Sequence, residues 1–390
     1  MEGTGPQQTT QTLTAQFANF TKQTGIHVNM QVIPWSDLLQ KILTAVTSGN
    51  GPDVMEIGNT WSPSFAASGG FTSFTPSTFS QIGGSGKFSK AALSVAGAPG
   101  KAPISVPVYS EAYGLFYNKA DFAAAGISSP PRTWTEFQAD AKKLTTAGRF
   151  GVASTSEAAH WAFLLGEQNG NPLYAGKKWN FATPTEAKAL SLYINLVASG
   201  VADKSDAQQN SNVSETEFAT NKAAMLLWQN PMSTLSQLGM KPSAYGIAPI
   251  PVVSPAPPGG QPVETFPAGI NLAIPSSSQH QAAALALVKY LTSTPVQVQV
   301  NNTYGTFPPV LSAQASSQFQ TSGLKTLVNT YNSQSMPLPK VPSESTMETD
   351  LGGAITHLIG SAATGGPVSI STIQAALTSA QDQLNAASGT

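Results

Sequence analysis

The run Val106-Pro107-Val108-Tyr109-Ser110-Glu111-Ala112-Tyr113-Gly114-Leu115-Phe116-Tyr117-Asn118-Lys119-Ala120-Asp121 constrains this chain more than any other. Val106, Val108, Leu115 and Tyr117 are strand residues that need burial, and they flank a polar middle that carries Glu111. A carboxylate buried without a partner costs far more free energy than its neighbours return. A strand that crosses from one lobe to another, with Glu111 at the crossing, satisfies both demands. There Glu111 can accept hydrogen bonds from a polar ligand. At 390 residues the chain also exceeds the size at which one core keeps growing, so two lobes are expected.

The composition narrows the function. Apolar residues make up 41% of the chain, enough for two cores, while charged residues make up 10% and the net charge is −1. No basic stripe is available for nucleic acid, nor a charged amphipathic helix for a membrane surface. No stretch is apolar for long enough to span a bilayer. Cysteine is absent, which removes thiol catalysis, zinc–thiolate sites and disulfides together and is compatible with an oxidising exterior. Met1-Glu2-Gly3-Thr4 has neither the basic region nor the apolar core of a signal peptide.

Along the chain, Leu13, Phe17 and Phe20 fall at helical spacing before Gly25, predicting a helix over 10–23. Residues 26–33 alternate at period two and end at Pro34, predicting a strand. Ser36 can cap a helix through Leu38, Leu39, Ile42, Leu43 and Val46, closed by Gly49-Asn50-Gly51. Asp53 to Ile57 reads as the next strand, and strand, helix, strand at this spacing predicts a parallel α/β sheet. Thr133-Trp134-Thr135-Glu136 is a capping box before a helix with Trp134, Phe137, Ala141 and Leu144 on one face. Thr183-Pro184-Thr185-Glu186 repeats the device before Leu190, Ile194 and Val197. Ala223 to Trp228 reads as a buried strand, 251–262 as a Pro/Gly-rich surface loop, Ala268 to Ile274 as a strand returning to the first lobe, and 279–291 as a helix. Tyr304 to Pro309 resembles a third crossing, and a last helix carries Ile373, Leu377, Ala380 and Leu384.

No enzyme signature is present: no His-Glu-x-x-His, Gly-x-Ser-x-Gly, Walker loop or Gly-x-Gly-x-x-Gly. His27, His160, His280 and His357 are scattered without metal-ligand spacing. Neither a metal nor a cofactor is expected. A secreted carbohydrate-active enzyme stays open as an alternative, because a glycosidase needs only two converging carboxylates, with Glu56, Glu111 and Glu157 among the acids available.

Pro-x-x-x-Glu-Ala-x-x-x-x-Tyr-Asn-Lys from Pro107, with Pro131-Arg132-Thr133-Trp134-Thr135-Glu136-Phe137, resembles the extracellular solute-binding proteins of sugar ABC transporters, the maltose-binding-protein-like family. Gly51-Pro52-Asp53-Val54, Ala268-Gly269-Ile270-Asn271 and Pro337-x-Pro339 fit the same pattern in order. The resemblance implies an α/β fold of two lobes, each a mainly parallel sheet covered by helices, with a ligand cleft. The first lobe would take residues 1–110 and 268–307, the second 111–267 and 308–390. It implies capture of a carbohydrate by closure and delivery to an ABC permease, by a monomer that was exported and lipid-anchored, with its signal sequence removed and Met1 an introduced start. A hydrophobic first strand precedes the first helix in the family; here Gly3-Thr4-Gly5-Pro6 resembles only the loop after it.

Sugars are held by aromatic rings against their C–H faces and by amides and carboxylates at their hydroxyls. The candidates in the first lobe are Asn59, Thr60 and Trp61 after the strand ending at Ile57, Trp35 after Pro34, and Thr4 and Gln7 of the first loop. A Trp flanked by Asn, Thr and Ser is expected to be half exposed. Glu111 matches the crossing-strand ligand residue, Trp161 follows Ala158-Ala159-His160 where the family stacks ligand, Gln229 and Asn230 follow Trp228, and Gly269 and Asn271 lie on the returning strand. Tyr109, Tyr113 and Trp228 read as core. Ala158 and Met232 stand where linear α-glucan binders carry aromatic rings, which favours a mono- or disaccharide over a longer chain. A non-sugar solute bound by the same fold is the nearer alternative.

Overall fold

The computed structural model describes residues 6–154, 158–207 and 213–388, leaving aside the side chains of residues 6–9 and 388. Eight strands follow in chain order among the described residues: β1 Met55–Gly58, β2 Ser105–Glu111, β3 Tyr113–Asn118, β4 Tyr174–Ala175, β5 Lys178–Trp179, β6 Met225–Gln229, β7 Tyr245–Ala248 and β8 Ala268–Ala273. The chain divides into two compact units. The first takes the residues up to Ala112, Pro267–Asn332 and Lys340–Glu344; the second takes Tyr113–Phe266, Ser333–Pro339 and the residues from Ser345. The third passage, placed at 304–309 from the sequence, comes later. Phe307 bridges Ser110 and meets Tyr331 edge-on at 5.1 Å, all within the first unit. Residues 308–332 and Glu111 thus belong with the first unit rather than the second.

In the first unit β8 lies between β1 and β2 and runs antiparallel to both. β1 and β2 point the same way without touching, because a strand from far along the chain separates them. The expectation of mainly parallel sheets is corrected accordingly: among the described residues every ladder between named strands is antiparallel, and parallel pairing occurs only as isolated bridges. Short-range spacing fixes the direction of strands joined by a local crossover, and a strand arriving from elsewhere can enter either way.

The helix Pro6–Thr24 buries Leu13 and Phe20 and ends at Gly25, whose φ of 74° suits glycine. Over 26–31 the alternation is real: Ile26, Val28 and Met30 pack against the core, while His27, Asn29 and Gln31 are exposed, and it breaks at the exposed Val32. Yet none of the eight strands pairs with this segment, so it is not the strand expected. Alternation reports which face is buried; a strand also needs a hydrogen-bonding neighbour. The next helix, Trp35–Ser48, begins before Ser36, with Pro34 at the cap and no side-chain cap bond, so Ser36 lies in the first turn. Its far end is as expected, with Gly49 at φ 68° donating to the Val46 carbonyl. Between Pro107 and Tyr109 the β2 register slips against β8, and the Val108 carbonyl is taken by Gln297 Nε2 at 2.9 Å and Asn301 Nδ2 at 3.3 Å.

In the second unit β3 is central, with β6 and β7 antiparallel on its two sides. Leu115 and Phe116 are fully buried there. Asn118 ends β3 and caps the helix Lys119–Ala124, accepting from the Ala120 and Asp121 N–H groups at 2.9 and 3.3 Å. The capping box forms as read: Thr133 Oγ1 accepts from Glu136 N at 3.1 Å, and Glu136 Oε2 accepts from Thr133 N at 3.1 Å. Thr183 caps Pro184–Ile194 in the same way, but the Glu186 carboxylate is buried and accepts from Asn171 Nδ2 at 3.2 Å. The last helix, Ile370–Ser388, buries Ile373, Leu377, Ala380 and Leu384 on one face.

The second unit also buries a pair of acids. Asp206 Oδ2 accepts from Ser154 N at 2.9 Å and Ser154 Oγ at 3.2 Å, while Glu217 Oε1 accepts from Ser205 Oγ at 2.9 Å. Burial, reinforced by the neighbouring Glu217 charge, pushes the Asp206 carboxyl up to about 8. Between its ordinary 3.8 and about 8, the folded chain holds a proton that the unfolded chain has released. This group's contribution to stability therefore falls as pH rises through that window and is level above it.

Two outcomes follow from these placements. Asp206→Asn keeps an acceptor for Ser154 and removes the titration, so calorimetry should find its melting temperature gaining on the wild type from about pH 5 to about pH 8. A gap that is constant or shrinks over that range would contradict the assignment. Thr133→Ala should lower the unfolding free energy by about 1 kcal/mol in a denaturant titration, the usual worth of a capping side chain.

Candidate functional site

In the first unit the ends of β1 and β2 and the start of β8 meet at one end of the sheet, since Gly58 pairs with Ile270 and Glu111 with Ala268. β1 runs into a tight turn, Asn59–Trp61, and then a short helix, Ser62–Ser68, with Pro63 in its first turn. Asn59 is buried and donates from Nδ2 to the Pro267 carbonyl at 2.7 Å. That bond anchors the entry of β8, so this amide has a structural task instead of the ligand contact expected. Thr60 is half-buried beside it.

Trp61 is 7% exposed, not half exposed. Its indole stacks on Trp35, ring centres 4.6 Å apart and planes 24° from parallel, and meets Phe65 edge-on at 6.4 Å. Trp35 opens its helix and remains partly exposed. Gly58 makes this stack possible. A Cβ there would stand 3.0 Å from atoms of both indoles, tighter than most real contacts, so the rings would have to shift to admit it.

Two further candidates serve the sheet itself. Asn271 is 1% exposed and donates from Nδ2 to Ser105 Oγ at 2.8 Å, which in turn donates to the Ala96 carbonyl at 3.0 Å. Its amide is consumed inside the unit. Gly269 has φ 144°, and a Cβ on it would lie 2.2 Å from the Tyr109 carbonyl oxygen. It is glycine because β2 bulges against it. Glu111, the last residue of β2, is half-buried, and its carboxylate lies near enough to Tyr331 to add to the burial that pushes that hydroxyl up. Thr4 lies outside the described residues, as does Glu157; the Gln7 backbone belongs to the helix Pro6–Thr24, and its side chain is not described.

In the second unit Trp161 is fully buried. It stacks on Tyr193 at 5.0 Å and takes the edges of Tyr113 at 5.1 Å and Trp134 at 6.2 Å. This is core packing, which corrects its assignment as a ligand platform: the helix Ala158–Gln168 is buried almost all round, so its Trp packs inward. Tyr109 and Tyr113 are buried, in line with their reading as core. Gln229 ends β6 opposite Tyr113 and is half-buried. Asn230 follows at φ 40°, a left-handed turn that asparagine tolerates better than most residues, and is buried.

His160 does something the sequence did not signal. Its Nδ1 faces the Tyr113 hydroxyl at 2.9 Å, its Nε2 faces Glu348 Oε1 at 3.0 Å, and its ring lies against Phe266 at 4.4 Å. The partners come from β3, the segment before β8 and the helix Glu344–Gly365. No local spacing announces such a meeting. Among the described residues no group of acids and histidines is arranged to hold a metal ion.

Comparison with known proteins identifies the family. A model of the family described as bacterial extracellular solute-binding protein matches residues 5–298. The chain is 26% identical over 236 residues to a binding protein of Brucella abortus, covering 58% of this chain and 56% of that one, so it spans little more than half of that relative. It is 26% identical over 299 residues to the diacetylchitobiose binding protein DasA of Streptomyces coelicolor, covering 74% and 68%. It is 24% identical over 221 residues to the sn-glycerol-3-phosphate-binding periplasmic protein UgpB of Rhizobium meliloti, covering 54% and 50%. Among solved structures, the sugar-binding protein MalE of Xanthomonas citri superposes with a TM-score of 0.80 at 25% identity, over 97% of this chain and 95% of that one. The two-unit α/β architecture is that of MalE, and the chain belongs to the bacterial extracellular solute-binding protein family.

Proposed function

We propose that this chain captures a small neutral carbohydrate, a mono- or disaccharide, outside the cytoplasm and delivers it to the membrane permease of an ABC transporter. One observation carries the choice of ligand. The candidates that keep partial exposure, Trp35, Thr60, Glu111 and Gln229, are an aromatic ring, a hydroxyl, a carboxylate and an amide, and no Lys or Arg stands beside any of them in the sequence. Such a set suits a sugar, whose C–H faces take rings and whose hydroxyls take amides and carboxylates. A phosphate-bearing solute, as the name of the Rhizobium relative implies for that protein, calls for ammonium or bidentate guanidinium groups. Of the two arginines, Arg149 is paired with Asp121 and Arg132 precedes a helix cap in the second unit.

Capture works by population shift: a ligand that binds the closed form more tightly than the open one moves the equilibrium by that difference and no more. No bond is made or broken, and no cofactor is required. The protein acts as a monomer, tethered by a lipid in its precursor form.

Thermal melting and calorimetric titration against mono- and disaccharides, with glycerol 3-phosphate as the charged comparison, test this reading. A neutral sugar should raise the melting temperature by mass action while glycerol 3-phosphate leaves it unchanged; the reverse result overturns it. Chromatography of the incubated sugar should find it intact, which separates a binder from an enzyme. Glu111→Ala should weaken sugar binding by about 1.5–3 kcal/mol, the worth of hydrogen bonds to a charged group, with the fold retained.

A further inference from the structure

The Trp35–Trp61 pair is built as a wall, and its two members have different jobs. Trp61 belongs to the buried cluster of Leu38, Ile42, Ile57 and Phe65, and its accessible surface is too small for a sugar ring to stack on it. Trp35 stacks on one face of Trp61 and packs against both apolar clusters of the first unit. Unlike Trp61, Trp35 keeps part of its surface exposed.

We infer that Trp35 is the residue that stacks on the ligand, and that Trp61 and Gly58 are positioning residues that hold its indole in place. This rests on the carbohydrate reading above. A stacking ring contributes most when its orientation is fixed before the ligand arrives. Three features fix this one: Trp61 blocks rotation on one side, Phe65 holds Trp61 from its edge, and a hydrogen in place of a side chain at Gly58 lets both indoles close over the turn. A ligand held this way presents an apolar ring face, such as a pyranose with its C–H bonds on one side, to a surface carrying no charge.

The experiment uses the full chain, the sugar that gives the largest melting shift, and four variants. Trp35→Ala should lose about tenfold or more in affinity, the equivalent of an aromatic side chain no longer buried against ligand. Trp35→Phe should keep most of the binding. Trp61→Phe and Gly58→Ala should weaken binding less than Trp35→Ala, and each should diminish the near-ultraviolet circular dichroism of the coupled indoles while thermal unfolding stays cooperative, which separates a local change in the pair from a general loss of tertiary packing. Acrylamide quenching adds a readout independent of affinity: saturating sugar should shield one tryptophan in the wild type and in Trp61→Phe, and none in Trp35→Phe. If a sugar binds the wild type but Trp35→Ala changes affinity by less than about twofold, or if shielding survives Trp35→Phe, Trp35 is not the stacking residue while the carbohydrate reading stands. If no sugar binds the wild type, both readings fall together.

Discussion

Strand β8 is the member on which the first unit depends. It enters between β1 and β2 from a point far along the chain, and both of their ladders are made to it. Its start is tied by the Asn59 amide to the Pro267 carbonyl, and Gly269 lets the bulged carbonyl of Tyr109 approach where no side chain fits. A little further on, Asn271 joins β8 to Ser105 of β2 inside the sheet. Each of these polar groups is buried, and each finds its partner. Such satisfied networks fix one register of a sheet, because a slip of one residue would strand every donor.

The same bonds decide which of the candidate side chains are buried. Asn59 and Asn271 belong to the sheet, Gly269 to the bulge and Trp161 to the second core. Trp35, Thr60, Glu111 and Gln229 keep partial exposure. A solute-binding protein needs a few groups held rigidly and still reachable, and rigidity here comes from spending nearby amides on the backbone. The aromatic wall obeys the same rule, with an inner indole spent on the core so that an outer one is held still.

In the second unit rigidity takes a different form. His160 gathers Tyr113, Phe266 and Glu348 from three separate stretches of chain, and the Trp161–Tyr193 stack lies next to it. Glu186, Asp206 and Glu217 are carboxyls that burial drives toward the neutral form. Their pH response is a property of this unit's packing and calls for no role in ligand chemistry.

Local rules were legible in the sequence. The capping box at Thr133, the cap at Thr183, the glycine stops at Gly25 and Gly49, the buried faces of the helices over 134–144 and 370–388, and the alternation over 26–31 all depend on neighbours a few residues apart, where chain geometry alone sets what meets. Motifs spread in order along the chain were likewise enough to place the family. What the sequence could not fix was anything requiring a distant partner: whether 26–33 joins a ladder, the direction in which β8 enters, and where the chain last passes between its units. Most of all it could not separate a ligand amide from a structural one, since Asn59 and Asn271 look alike until Pro267 and Ser105 arrive beside them. Residue type sets what a side chain can do. Only tertiary structure decides whether that capacity is already used, because each donor, acceptor or ring face is occupied by whichever group the fold brings within reach.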